Sequence, residues 1–326
     1  MTGAVRGTYA ARAVRDDGEA GVVREFEDVG VAVAGGLLAV RRWPGAPGGP
    51  VVLAAHGLAG NGLAWGLVAE ELGRAAPEVT LIAPDLRGRG RSRDVAGPGG
   101  AARHADDLIA VLDRFGVDRA VLAGHSMGAF IACVAARRDP GRYSELVLVD
   151  GGLGFPVPPD LDIDAVLHAV VGPAMAKLDM EFADRAAYHA FWAEHPAFVE
   201  LAGGGPLLAA HLDRDLVGEE PHLRSACRAV TIREDAEDQL RDPSVFAAIH
   251  ELTVPARLLW AERGLRNDPT GLYAPEAIAA SGLPEEGVAV HFVPDVNHYS
   301  LVLGEPGART VAAHLTDAVR RAPTRS

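Results

Sequence analysis

The chain has 326 residues, 48% of them hydrophobic, which is ample for a large core built around one sheet. A formal charge of −13 and a pI near 5.4 argue against nucleic acid and anionic membrane surfaces as partners, since both would repel it. Two cysteines, Cys133 and Cys227, imply no disulfide framework, and no apolar run is long enough for a membrane span or, within Met1 to Ala20, for a signal peptide. The expectation is a cytoplasmic protein whose partner is a small-molecule substrate, with no nucleic acid and no membrane; a homodimer is left open.

In chain order, residues 1–24 carry no credible strand and read as an N-terminal arm. Short apolar runs then predict strands at 26–34, 37–43, 51–55, 79–83, 119–123, 145–149, 256–260 and 288–293. Helical patterns fall between them at 63–75, 101–115, 127–138, 274–281 and 307–321. Gly35-Gly36 is a hairpin signal, so the sheet is expected to begin with an antiparallel edge and to continue as strand, crossover, strand. This alternation predicts an α/β fold: a doubly wound, mostly parallel eight-stranded sheet with helices on both faces and a ligand site at the carboxyl ends of its strands. His56-Gly57, Asp85, Ser126, Asp150 and His298 all fall at or just past such ends. Between Gly151 and about Leu252 the alternation stops. That stretch opens on a Pro- and Gly-rich connection and turns helical, with Leu167, Tyr188, Phe191, Trp192 and Phe198 at helical spacings. Its acidic pieces, Glu219-Glu220 and Glu234 to Asp238, read as solvated faces or caps.

Residues 121–128, Val-Leu-Ala-Gly124-His125-Ser126-Met127-Gly128, carry a strand through Gly-x-Ser-x-Gly into a helix. So sharp a turn strains the serine, needs glycine two residues to either side where chain passes close by, and exposes the hydroxyl above a helix N-terminus that favours developing negative charge. Two more landmarks precede it: the strand ending in His56-Gly57-Leu58, and Asp85-Leu86-Arg87-Gly88-Arg89-Gly90-Arg91-Ser92. With Asn297-His298-Tyr299 near the end, these motifs resemble the α/β-hydrolase superfamily over roughly residues 25–152 and 252–322. The resemblance implies an α/β-hydrolase core at 25–152 and 252–326 and a helical cap, or lid, at 153–251. Such a lid would exclude water and shape an apolar pocket. It also implies that His56 is structural and that the backbone N–H groups of Leu58 and Met127 form an oxyanion hole. Gly57, His125, Phe155, Trp192 and Tyr299 are expected to contact substrate, although packing is the plainer role for the aromatics and for His125.

A serine hydroxyl needs a base. Among twelve histidines, His298 is the one that follows the last strand in a Pro-Asp-Val-Asn-His loop before the final helix. His104, His168, His189, His195, His211, His222, His250 and His314 fall on helical or inserted segments and read as surface or packing residues, and His291 lies within a strand. The acid departs from the family's pattern: past the seventh strand, where a carboxylate is expected, stands Gly264. Asp150, at the end of the strand beside the nucleophile's, is the preferred replacement; Asp268 is the alternative, and Glu262 comes too early. The glycines at 57, 60 and 62 lack the spacing of a phosphate cradle, and Arg87, Arg89 and Arg91 read as partners of carbonyls and carboxylates rather than an anion site. No metal-ligand spacing is present and the chemistry needs no cofactor. These residues point to a serine hydrolase acting on an ester, lactone or thioester of a medium-sized hydrophobic substrate through an acyl-enzyme on Ser126. The alternatives are non-hydrolytic chemistry on the same fold (acyl transfer, cyclisation, lyase or perhydrolase) or a weakly catalytic ligand receptor.

Overall fold

A computed structural model describes residues 24–154, 162–201, 204–284 and 286–322. Its strands are β1 (Glu27–Val33), β2 (Gly36–Trp43), β3 (Val51–Ala55), β4 (Thr80–Pro84), β5 (Ala120–His125), β6 (Tyr143–Val149), β7 (Leu216–Val217), β8 (Arg224–Ser225), β9 (Ala256–Arg263) and β10 (Val288–Asn297). The helices are α1 (Gly66–Ala75), α2 (Ala101–Arg114), α3 (Met127–Arg138), α4 (Ile163–Ala176), α5 (Arg185–Ala193), α6 (Gly205–Arg214), α7 (Ala229–Arg241), α8 (Pro243–Ala247), α9 (Pro275–Ala280), α10 (Ser300–Leu303) and α11 (Glu305–Arg321).

Eight strands form one sheet in the order β1-β2-β4-β3-β5-β6-β9-β10. Only β2 runs against the rest: it pairs antiparallel with β1 across the Ala34-Gly35 turn, where Gly35 has φ of 100°, and antiparallel with β4 on its other side. Every other pair is parallel, so the crossovers must place helices on the sheet's faces. Strand alternation decides which residue meets which layer. Val121 and Ala123 pack toward α1 and α11 through residues such as Val68, Leu72, Val311 and Leu315. Ala120 and Leu122 pack toward α2 and α3 through Leu108, Leu112, Phe130 and Ile131. This is the fold read from the sequence, an α/β-hydrolase arrangement of an eight-stranded mostly parallel sheet covered on both sides.

Element ends differ where capping and turns override periodicity. The pattern expected as one helix at 63–75 begins as a 3-10 turn, Gly62–Trp65, because the Asn61 side chain accepts the Leu63 N–H at 3.0 Å and starts a tight turn there. β10 runs four residues beyond the expected 293 through a register shift, which carries the chain to Asn297. The inserted segment holds α4 to α8, and also the small antiparallel β7–β8 ladder that helical periodicity does not announce. Of the expected arm at 1–24, only Arg24 lies within the described residues; its guanidinium donates to Ala69 O at 3.1 Å and Pro44 O at 3.3 Å. No helix among the described residues is long and apolar enough to cross a membrane.

The glycines of the β5–α3 turn are required by contact. A Cβ on Gly124 would stand 2.2 Å from Gly128 O, and one on Gly128 would stand 2.2 Å from Ala55 O of β3. Both obstacles are backbone, which cannot swing away. Gly128→Ala is therefore expected to lose about 3 kcal/mol of stability through overpacking, read as a lowered midpoint in urea unfolding.

Candidate active site

Ser126 stands where β5 breaks into α3, with φ 55° and ψ −121°, a conformation an L-residue holds only under constraint from its surroundings. The constraint is visible: Ser126 N–H donates to Val149 O of β6 at 2.9 Å, and Ser126 O accepts from Ala129 N–H at 2.9 Å. Gly151 closes over the same point, since a Cβ there would meet Ser126 O at 2.2 Å.

β6 ends in Asp150, which is fully buried with φ of 45°. One carboxylate oxygen accepts from His298 Nδ1 at 2.6 Å and the other from the Ala261 N–H of β9 at 3.1 Å. Because the carboxylate accepts, Nδ1 carries the proton and Nε2 is left as the basic nitrogen of His298. The loop that presents this imidazole is fixed by Asn297. Its side-chain oxygen accepts the N–H groups of Tyr299 and Ser300 at 2.9 Å each, its own N–H donates to Ser300 Oγ at 2.8 Å, and its amide donates to Ala197 O of the insertion at 3.0 Å. Ser126 and His298 line one pocket.

The two other candidate acids lie elsewhere. Asp268 is exposed in a turn whose backbone oxygen accepts from Gly264 N–H at 3.0 Å, and Glu262 accepts the Asp295 N–H at 2.7 Å at the sheet edge. His125, read from the sequence chiefly as packing, does more. Its Nε2 donates to the carbonyl of His298 at 2.9 Å, its ring lies 4.7 Å from that of His298, and it also lines the pocket. Burial holds this imidazole well below its ordinary pKa, the nearby His298 adding to the effect, so it is a neutral strut.

The loop after β3 is oriented by its carbonyls. His56 Nε2 accepts the Leu86 N–H at 2.9 Å, so its proton resides on Nδ1, which donates to Gly57 O at 2.8 Å. Burial, opposed by that same hydrogen bond, keeps His56 well below its ordinary pKa and therefore neutral. In a trans peptide the C=O of Gly57 and the N–H of Leu58 point in opposite directions, so anchoring the first aims the second away from His56. Arg89, fully buried, donates to Leu58 O at 2.9 Å and places its guanidinium 3.7 Å from Met127 Sδ. Lys177 of the insertion donates to Ala59 O at 2.9 Å.

In the acidic run at 234–238, read as solvated faces or caps, Asp235 is the exception. Asp235 is buried and pairs with Arg89 and with His104 Nε2, the latter at 3.0 Å; burial alone would raise its pKa, but these two partners hold it well below the usual carboxylate range. Glu234 and Asp238 accept the N–H groups of Gly99 and Ala101 at 2.9 and 2.7 Å, capping α2 from the outside. The arginines behave as read: Arg87 forks onto Asp107 at 2.7 and 2.8 Å, and Asp85 takes Arg214 rather than a ligand, at 2.8 Å.

Of the expected pocket residues, Gly57, His125, Trp192 and Tyr299 do line it; Phe155 lies outside the described residues. The sequence reading missed a polar patch on the same wall: Asn61, Lys177, His211 and Asp215. Lys177 is the only lysine in the chain and is 1% exposed, lying against Asp215 at 2.5 Å. A lone lysine inside an otherwise apolar helical stretch was the signal available for it. Among the described residues no group of three or more His, Cys, Asp or Glu is placed to hold a metal ion.

The sheet order, the serine at the β5–α3 turn and the histidine after the last strand define an α/β-hydrolase. The chain belongs to that family, whose alpha/beta hydrolase fold description matches residues 50–305. It is similar to the lipase LipV of Mycobacterium tuberculosis, 38% identical over 105 residues, and to a putative carbamate hydrolase RutD of Caulobacter vibrioides, 36% identical over 110 residues. Each match takes in 32% of this chain, and covers 38% and 40% of those relatives respectively. Among solved structures it resembles E-2-(acetamidomethylene)succinate hydrolase, with a TM-score of 0.70 at 22% identity over 91% of this chain and 100% of that one. A thioesterase domain from the curacin biosynthetic pathway gives a TM-score of 0.69 at 21% identity over 90% and 99% of the two chains. At such identities these structures share the fold.

Proposed function

We propose that the protein is a serine hydrolase that cleaves a carboxylic ester, lactone or thioester of a hydrophobic substrate, with the inserted helices as its cap. The observation that carries this reading is the 2.6 Å contact from Asp150 to His298 Nδ1, which leaves Nε2 as a base in the pocket that Ser126 also lines. Ser126 Oγ attacks the carbonyl carbon as His298 Nε2 takes its proton. The oxyanion is met by the N–H groups of Met127, at the head of α3, and of Leu58, aimed by the Gly57 carbonyl's bond to His56. Collapse returns the proton to the leaving group and leaves an acyl-serine. Water, deprotonated by the same nitrogen, then releases the acid and restores the serine. Asp150 keeps its negative charge throughout and stabilises the imidazolium. Ala64, Leu212, Phe198 and Val302 make the pocket apolar enough for hydrocarbon chains. The lipase among its relatives supports acyl chemistry, and the carbamate hydrolase extends it to a neighbouring carbonyl class.

A fluorophosphonate probe tests the reading directly. Digestion with trypsin is expected to yield the labelled peptide Ala120–Arg137, in which Ser126 is the one serine, and Ser126→Ala should remove the label. Labelling that survives that substitution, or fails on the natural chain, refutes it. Product analysis in water against added alcohols or thiols then separates hydrolysis from acyl transfer.

A further inference from the structure

The polar patch on the pocket wall is unequal in what it leaves free. Asp215 accepts from Lys177, Tyr188 and Ser225, the last at 3.1 Å, and from Cys227 Sγ at 3.3 Å, so its lone pairs are filled by the chain. Lys177 spends two of its three N–H bonds on Ala59 O and Asp215. Asn61 is oriented by the chain: its oxygen accepts the Leu63 N–H at 3.0 Å, which fixes which end is oxygen, and its amide spends one of its two N–H groups on His211 O at 2.9 Å. His211 Nδ1 lies 3.2 Å from that oxygen and must therefore donate to it. The imidazole proton is thereby assigned to Nδ1, and Nε2 is a lone-pair acceptor with no hydrogen bond among the described residues. The ring is 9% exposed and lines the pocket.

We infer that His211 Nε2 is a specificity-determining acceptor for a hydrogen-bond donor on the substrate, so that the preferred substrate is a neutral ester whose chain carries a hydroxyl group. Burial lowers the His211 pKa to about 4, with Asp215 opposing the shift, so the ring stays an uncharged acceptor at neutral pH. Lys177, held charged by Asp215 against the cost of burial, lines the same pocket with one N–H not spent on Ala59 O or Asp215, and a hydroxyl is a group that both donates and accepts. A carboxylate is not favoured here: the lysine's charge is already balanced by Asp215, and a second anion would face the lone pair of His211. A purely hydrocarbon chain would bury Nε2 without a partner, which is the larger penalty.

The inference rests on the proposed function only in placing substrate in this pocket, and a binding experiment without turnover separates the two. Titration calorimetry on the Ser126→Ala protein would use ethyl hexanoate, ethyl beta-hydroxyhexanoate and ethyl omega-hydroxyhexanoate. At least one hydroxylated ester should bind about tenfold more tightly than ethyl hexanoate. Ser126→Ala/His211→Phe should bind all three alike, and Ser126→Ala/His211→Gln, which restores an acceptor oxygen, should recover part of the preference. No preference for either hydroxylated ester, or a preference that persists in the phenylalanine variant, overturns the inference. Failure of the fluorophosphonate to label Ser126 would instead overturn the proposed chemistry.

Discussion

Replacing His298 by alanine is expected to lower kcat for p-nitrophenyl butyrate by about 10⁶-fold, the scale seen when the base of a serine nucleophile is removed. The physical reason is that a serine hydroxyl has no other proton acceptor in the pocket of comparable strength. His125 cannot substitute, because its charged form is opposed by burial and by the nearby His298. His211 lies on the same pocket but is likewise disfavoured as a cation, with a pKa near 4. Ser126→Ala/His298→Ala should be no slower than either single variant, since the two groups act as a unit. A loss smaller than about a hundredfold in a folded His298→Ala protein would sink the assignment, because a positioned acid–base group alone contributes at least that much.

The strands, their mostly parallel run and the placement of the pocket at their carboxyl ends were legible because parallel strands covered on both faces read as apolar runs, as in β3, in residues 120–124 of β5 and in residues 146–149 of β6. The candidate site residues were legible in proportion to how far backbone geometry dictates them. Ser126 sits at a turn that needs Gly124 and Gly128, and His298 follows a strand whose Asn297 builds the loop. Asp150 could be raised as a candidate only because Gly264 left a gap; nothing local to Asp150 says which imidazole it will meet, since the contact spans 148 positions of sequence. What stayed hidden depended on the insertion folding back. Asp235 looked like one charge in a solvated run, yet the buried Arg89 and His104 come from the core to meet it. His211 was indistinguishable from seven other helical or inserted histidines until Asn61, 150 positions away, fixed its tautomer.

The insertion and the core are therefore joined at the loops that flank the candidate site. Lys177 holds Ala59 O from the insertion, Arg89 holds Leu58 O while pairing with Asp235 of α7, and Asn297 of β10 holds Ala197 O. Each tie has one end in the 57–60 loop or the His298 loop. Packing of the inserted helices and geometry of the proposed oxyanion hole are thus coupled through buried polar contacts, which are short-range and costly to break.

Asp150→Asn is the second large effect, expected to lower kcat by about 10⁴-fold with little change in fold. Asparagine tolerates the φ of 45° found at this position, so the backbone need not move. The chemistry fails through the tautomer. One oxygen of Asp150 accepts the Ala261 N–H, and an asparagine must keep its single oxygen there, because turning its amide toward that N–H would oppose two donors. The NH₂ group then faces His298 Nδ1 and makes it an acceptor, which moves the imidazole proton to Nε2, the nitrogen that has to receive the serine's. In the proposed mechanism the natural carboxylate also stabilises the imidazolium, and the neutral amide does not. Asp268→Asn, on an exposed turn, should leave kcat within about twofold, as surface substitutions away from such features usually do. Steady-state kinetics on the two variants discriminate the acids: a tenfold or smaller loss at Asp150 together with a large one at Asp268 would transfer the role to the longer loop.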